Sequence, residues 1–254
     1  MRSLLRGSAL LACSLAVPAF AQISIGAGSA VQFGDATINF GCSDLSIAGQ
    51  AGAAAGSLTG LRNFSVAPGG GFSAGNGQIT LGGNFVNGGA FNAGGGAVGI
   101  VDACGSGTSQ LSGATNFFRF AASTSTGKQL QLPANTTQSV AGALSLTGSA
   151  GNLLQVQSTA PGQRANLAVA TGAAQTIAYV AARDNAATAA SIAPGSPASY
   201  SSVDGGNLIN WFLAVSQGGP IPAPGLGLLG RLLLLGGLVG TAWQAARKRR
   251  PRGV

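Results

Sequence analysis

Few side chains in this sequence could do chemistry. There is no histidine and no glutamate, and the acids are Asp35, Asp44, Asp102, Asp184 and Asp204. Gly71-Phe72-Ser73-Ala74-Gly75 spells a nucleophile elbow, the strained strand-to-helix turn that presents a serine to a basic partner. Without histidine there is no such base, and a plain turn is expected. Gly94-Gly95-Gly96-Ala97-Val98-Gly99 spells a dinucleotide fingerprint but lacks the strand-to-helix setting and a suitably placed acid. Thr126-Gly127-Lys128-Gln129 lacks the upstream glycine and the following Ser or Thr of a phosphate loop. Both read as loops.

A polysaccharide-cleaving site would need two carboxylates several ångströms apart, or an acid-rich calcium loop. Asp102 and Asp184 are the pair that a repetitive fold could bring onto one face, although a solvated turn is the commoner fate of each. Cys42 and Cys104 form an even pair once Cys13 is removed with an export signal. In an oxidising compartment a disulfide is the default for them, with two buried thiols as the alternative. A metal site lacks histidine or further cysteine partners, and no cofactor and no enzymatic activity are expected.

The elements that must hold these residues are strands. The body, residues 22–215, is rich in Gly, Ala, Ser, Thr, Asn and Gln and lacks the Leu/Glu/Lys mixture of amphipathic helices. Short apolar-x-apolar dyads recur instead: Leu45-Ser46-Ile47, Phe64-Ser65-Val66, Ile79-Thr80-Leu81, Val98-Gly99-Ile100, Phe118-Arg119-Phe120, Leu130-Gln131-Leu132, Leu144-Ser145-Leu146, Leu154-Gln155-Val156, Leu167-Ala168-Val169 and Ile177-Ala178-Tyr179. Each predicts a short strand with one face inward. Pro68-Gly69-Gly70-Gly71, Gly75-Asn76-Gly77 and Asn87-Gly88-Gly89 supply turns between them, and Asn210-Trp211-Phe212-Leu213 is expected as a last strand. The fold class is therefore all-β. The spacing favours a right-handed parallel β-helix, or solenoid, in which small coils stack around a narrow core; a β-sandwich is the alternative.

Both ends of the chain carry export signals. Met1-Arg2 and Arg6, an apolar Ser8 to Val17 and the small-x-small Ala19-Phe20-Ala21 predict a signal peptide, residues 1–21, cut by signal peptidase between Ala21 and Gln22. Leu10-Leu11-Ala12-Cys13 is a loose lipoprotein box with too short an apolar stretch before it. At the far end, residues 216–224 are a linker and the proline-rich Pro220-Ile221-Pro222-Ala223-Pro224. An apolar run, residues 225–243, follows, and then a basic tail, residues 244–254, with Arg247, Lys248, Arg249, Arg250 and Arg252. At about 1.5 Å per residue the run can just span a hydrocarbon core of roughly 30 Å. Eight leucines favour insertion and Arg231 opposes it, unless its side chain leans back to the nearer headgroups. A buried hairpin is the alternative, but it leaves the dense basic tail unexplained. The basic cluster should stay cytoplasmic, which puts the body outside.

The formal charge of +8 follows from these ends. Arg62, Arg119, Lys128, Arg164 and Arg183 balance the five aspartates in the body, so no basic patch remains for nucleic acid.

Two resemblances add to this reading. Gly83-Asn84-Phe85-Val86-Asn87-Gly88-Gly89-Ala90-Phe91, Leu144-Ser145-Leu146-Thr147-Gly148, Ser158-Thr159-Ala160-Pro161-Gly162, Tyr179-Val180-Ala181-Ala182-Arg183-Asp184-Asn185 and Gly206-Asn207-Leu208-Ile209-Asn210-Trp211 resemble a module of secreted bacterial proteins, which implies a haemagglutinin-like, β-helical surface region without catalytic residues. The tail resembles the PEP-CTERM sorting signals and the related class that begins Ile-Pro-Thr-Leu, with Ala223 where the first class usually has glutamate. That resemblance implies recognition by an exosortase in a Gram-negative bacterium, and cleavage near Pro222 to Pro224. The expected function is that of a secreted, envelope-targeted structural or adhesive protein, associated with exopolysaccharide or other molecules of the outer surface. The alternatives are a permanently membrane-anchored ectodomain and a polysaccharide-cleaving β-helix.

Overall fold

A computed structural model describes residues 21–213. They form an all-β solenoid of about nine coils in which the pairings between strands are parallel. A sandwich built from antiparallel hairpins is thereby excluded.

The coils follow one another along the chain. Coil 1 is β1 (Gln22–Ile25), β2 (Ala30–Gln32) and β3 (Thr37–Asn39); coil 2 is β4 (Asp44–Ile47), β5 (Gln50–Gly52) and β6 (Ser57–Leu61). Coil 3 is β7 (Phe64–Val66), β8 (Gly71–Ser73) and β9 (Gln78–Leu81); coil 4 is β10 (Phe85–Asn87), β11 (Ala90–Asn92) and β12 (Ala97–Ile100). From coil 5 the middle strand is absent: β13 (Thr108–Ser112) with β14 (Thr115–Ser123), then β15 (Gln129–Leu132) with β16 (Thr137–Thr147). Coil 7 is β17 (Leu154–Ser158), β18 (Ala165–Val169) and β19 (Ala174–Ala178), the last two both lying along β16. Coil 8 is β20 (Val180–Arg183) with β21 (Asn185–Ala187), and coil 9 is β22 (Val203–Asp204) with β23 (Leu208–Ile209). A single turn of 3-10 helix, Pro197–Tyr200, joins these last two coils. Stacking gives a first face, β1-β4-β7-β10-β13-β15-β17-β20-β22; a second face, β2-β5-β8-β11; and a third face running from β3 to β23. Each coil takes roughly 20 to 26 residues, within the range of solenoid repeats.

Alternation explains why these segments are strands. In-register pairing puts Leu45, Phe64, Phe85 and Leu111 in one inward column of the first face, and Leu58, Ile79, Val98, Phe120 and Leu144 in one of the third. All nine are at least 98% buried. Small polar residues take the outward positions, where they meet water without bulk. Phenylalanines fill the core of coils 3 to 5: Phe64 stacks on Phe85 at 5.2 Å between ring centres, and Phe91 and Phe117 close around Phe85 at 5.3 and 5.4 Å. The corners are equally repetitive. Asn76 N–H bonds the Ala54 carbonyl and Gly95 N–H the Gly75 carbonyl. Gly75 has φ +58°, and a Cβ there would lie 2.2 Å from the Ala54 oxygen, so only glycine lets the corners stack this closely.

Three expectations need correction. In Phe118-Arg119-Phe120 the inward residues are Phe117 and Phe120, because a register shift between Phe117 and Arg119 turns Phe118 outward. Ile177 is buried but Tyr179 follows the strand in a left-handed conformation, φ 54°, which breaks the expected dyad. The last strand is Leu208–Ile209, and Trp211 makes only an isolated parallel bridge to Ile192. Residues 1–20 and 214–254 lie outside the described residues. The signal peptide up to Phe20, Pro220 to Pro224, the run 225–243 and the basic cluster from Arg247 to Arg252 all fall there. Among the described residues no helix is long and apolar enough to cross a membrane.

Candidate functional site

The outward surface of the first face forms a groove over its later coils. Register pairs Gln129 with Gln155 and Ala181, and Gln131 with Gln157 and Arg183. Side chains at paired positions of parallel strands stand beside one another about 4.8 Å apart, so these residues make two adjacent polar rows. Ala181 leaves its row low, with Leu153 and Gly151 on one side and Gly205 on the other. The resulting hollow has a volume of about 650 Å³.

Hydrogen bonds orient the rows. Gln131 Nε2 donates to Gln129 Oε1 at 3.2 Å, and Arg183 Nη2 donates to Gln157 Oε1 at 3.3 Å. Arg183 Nε is also 3.5 Å from Asp184 Oδ2, yet half of its side chain remains exposed. Asp184 is turned away from the groove and is nearly buried. Its carboxylate accepts from Asn207 Nδ2 at 2.5 Å, and that bond, helped by the Gly162 N–H and by Arg183 and Arg164, holds its carboxyl below the usual range against the opposing effect of burial. The groove therefore offers amide donors and acceptors plus one guanidinium, and its lining contains no carboxylate and no nucleophile. Such a surface can hydrogen-bond hydroxyls and pair with an occasional carboxylate, but it has no group to cleave a bond.

A second assembly surrounds the cysteines. The coil that ends at β13 is a few residues longer than the one before it, and the surplus, residues 101–107, forms a strap across the outside of a corner. The strap reaches back past coil 4: the Ala103 carbonyl fills the space beside Gly82, and Cys104 lies against the Leu61 carbonyl before bonding to Cys42 at the end of coil 1. Three attachments hold it. One is the Cys42–Cys104 disulfide, with Cα atoms 5.3 Å apart. The second is Asp102, whose Oδ2 accepts from Ser125 N–H at 2.7 Å, Thr124 Oγ1 at 3.1 Å and Thr126 N–H at 3.2 Å. Burial alone would raise this carboxyl, and the hydrogen bonds outweigh it and hold it low. The third is Lys128, 1% exposed, whose Nζ donates to the Gly82 carbonyl at 2.8 Å and to the Ser106 carbonyl. Burial depresses its ammonium group, partly opposed by the charge of Asp102.

The sequence motifs take ordinary structural places. Ser73 ends β8 beside the buried Phe72, with a turn after it and no helix. Gly94 to Gly96 make a turn into β12. In Thr126-Gly127-Lys128 the N–H groups all donate to Thr124 Oγ1, at 2.9 to 3.1 Å, so they cap a side chain of this chain. Asp102 follows β12 on the corner between the third and first faces, whereas Asp184 separates β20 from β21 several coils away. The two do not meet. Among the described residues no group of three or more His, Cys, Asp or Glu is placed to hold a metal ion.

The groove residues were not apparent as a site in the sequence, although a signal was present. Leu130-Gln131-Leu132 and Leu154-Gln155-Val156 both carry glutamine at the outward position, and stacking makes a surface of them. Compared with family models, with curated proteins and with solved structures, the chain matches none.

Proposed function

We propose that this chain is an exported structural or adhesive protein of the bacterial envelope, and that the glutamine-lined groove of its first face binds polysaccharide. One observation carries the binding part: Gln129, Gln155, Gln157 and Arg183 line one open hollow of about 650 Å³ on a body whose five cations balance its five aspartates. Exposed amides and a single guanidinium suit a hydroxyl-rich chain that carries few acidic groups. The coil sense in this reading is right-handed, as it is for nearly all parallel crossovers. Signal peptidase removes residues 1–21, the run 225–243 holds the product in the inner membrane, and an exosortase cuts near Ala223.

Binding is tested by titrating exopolysaccharide from the producing bacterium into the processed protein by calorimetry, beside Gln155→Ala and Arg183→Ala. Wild-type binding that each substitution weakens several-fold supports the reading; equal heats in all three, or none with wild type, overturns it. Processing is tested by mass spectrometry of envelope-derived protein. A C-terminus near Ala223 supports sorting, whereas an intact peptide through Arg252 supports a permanent anchor, the second reading, which the apolar run favours. Incubation with pectin, alginate or the bacterium's own polysaccharide addresses the cleaving alternative, which release of unsaturated or reducing ends would support.

A further inference from the structure

We infer that the N-terminal end of the solenoid is a self-association surface, on which a second copy of this chain sits end to end. The inference rests on the cleavage between Ala21 and Gln22 proposed above.

Coil 1 is half of an interface. Ile23 pairs in register with Leu45, Val31 with Ala51 and Ile38 with Leu58, so all three face the interior of the stack. Their partners are at least 95% buried, but Ile23 is 44% exposed and Val31 and Ile38 are only partly covered. Phe33 lies at the same end, its ring edge-on to Phe40 at 6.2 Å. The outer edges of β1, β2 and β3 have no strand partner among the described residues. Natural edges of this kind are blunted with lysine, proline or a covering segment. Residues 22–43 contain no lysine, arginine or proline, and their one charge is Asp35, in a turn.

The choice of occupant follows from the proposed cleavage and from the shapes of the two ends. After cleavage at Gln22 the mature chain begins on β1 itself, so nothing precedes the coil that could fold over it, and the chain leaves the described body after coil 9. The two ends of the solenoid also differ in section: coil 1 has three faces, whereas coil 9 has two strands of two residues each and no second-face strand. Coil 9 is therefore a poor continuation of coil 1. A second coil 1 matches, because a two-fold axis across the end brings three edges against three edges, antiparallel, with Ile23, Val31, Phe33 and Ile38 between them. Only four apolar side chains, Ile23, Val31, Phe33 and Ile38, meet their counterparts there, so a weak dimer is expected.

The test is sedimentation equilibrium of the processed protein over a micromolar concentration series, with the N-terminus of the same sample read by mass spectrometry. Wild type should shift from monomer to dimer. Ile23→Lys should raise the dissociation constant at least tenfold; Ala30→Lys, exposed on β2 and outside the core, should weaken association in the same direction without disturbing packing, as circular dichroism checks. A monomer that begins at Gln22 overturns the inference itself, and a monomer that begins upstream overturns it through the cleavage on which it rests. Variants that dimerise like wild type overturn it as well, and so does a ladder of species growing beyond the dimer, which would mean that coil 1 meets coil 9.

Discussion

Asn63 Oδ1 accepts the backbone N–H of Asn84, one coil further on, at 2.8 Å. Asp44 Oδ1 does the same for Asn63 N–H at 3.1 Å, and Asn84 Oδ1 for Gln110 N–H at 2.9 Å. From coil 2 to coil 5 one corner is thus a ladder of short amide and carboxylate side chains, each bonded to the backbone of the next coil. The Asn84 and Gln110 N–H groups are exposed, so losing the acceptor removes only the net worth of a hydrogen bond, about 0.5–1.5 kcal/mol. Asn63→Ala and Asn84→Ala should each lower stability by roughly 0.5–1 kcal/mol, read as a drop in the denaturation midpoint with little change in slope.

Acid should act on the same corner. The Arg62 guanidinium, which is hydrogen-bonded to both oxygens of Asp44, holds that carboxyl below its ordinary value, as their partners do for Asp102 and Asp184. A folded-state value below the unfolded one means stability fully present above the ordinary aspartate range and lost as pH falls through the folded values. Chemical denaturation at neutral pH, pH 4 and pH 2.5 should show a fall confined to the acid side of about 4, and Asp44→Asn should remove part of it.

Lys128 predicts a rise of the same sign in alkali. Its folded-state value lies below that of the unfolded chain because burial disfavours the charge. The unfolded chain therefore binds more protons between the two values, and stability rises with pH toward the ordinary lysine range. Thermal melts between neutral pH and pH 10 should show this rise in wild type. In Lys128→Met it should be absent.

Reducing the Cys42–Cys104 bond should cost about 4 kcal/mol in the chain-entropy account for a loop of 62 residues. A lower denaturation midpoint in dithiothreitol, and a midpoint that dithiothreitol does not shift in Cys42→Ser/Cys104→Ser, would check both the bond and its size.

Phe85 and Phe118 should respond very differently to truncation. Phe85 is fully buried between Phe64, Phe91 and Phe117, and Phe85→Ala should cost about 3–5 kcal/mol. Phe118→Ala, at a side chain 36% exposed on an outward bulge, should cost about 0.5 kcal/mol or less. Equal losses would mean that the bulge is misplaced.

Most inward columns were legible because a period of two needs only three residues to declare itself, as Leu45-Ser46-Ile47 and Leu154-Gln155-Val156 show. Phe117-Phe118-Arg119-Phe120 misled because its aromatics fit two frames, and only pairing with Val140 and Leu144 selects the one with Phe117 and Phe120 inside. The stacked-coil architecture was legible from the dyad spacing, whereas the loss of the second face after coil 4 was not, since no residue marks it. Candidate-site residues were harder. Gln129 and Gln155 lie in different strands, and what joins them is a register that no local pattern encodes. Lys128 read only as part of the loop Thr126-Gly127-Lys128-Gln129, because its partners, the Gly82 and Ser106 carbonyls, are backbone atoms far from it in sequence.

The strap also decides how the body would come apart under tension. A stack of parallel coils pulled by its ends unwinds one rung at a time, since each coil holds only its neighbours. Pulled from the C-terminal side, coils 9 to 5 can peel in turn at low force. Unwinding then meets the covalent tie from Cys104 to Cys42, and the length of chain between them stays out of reach of the load until that bond is reduced. The tie therefore shields three coils, 2 to 4, while the groove of coils 6 to 9 lies on the portion that yields.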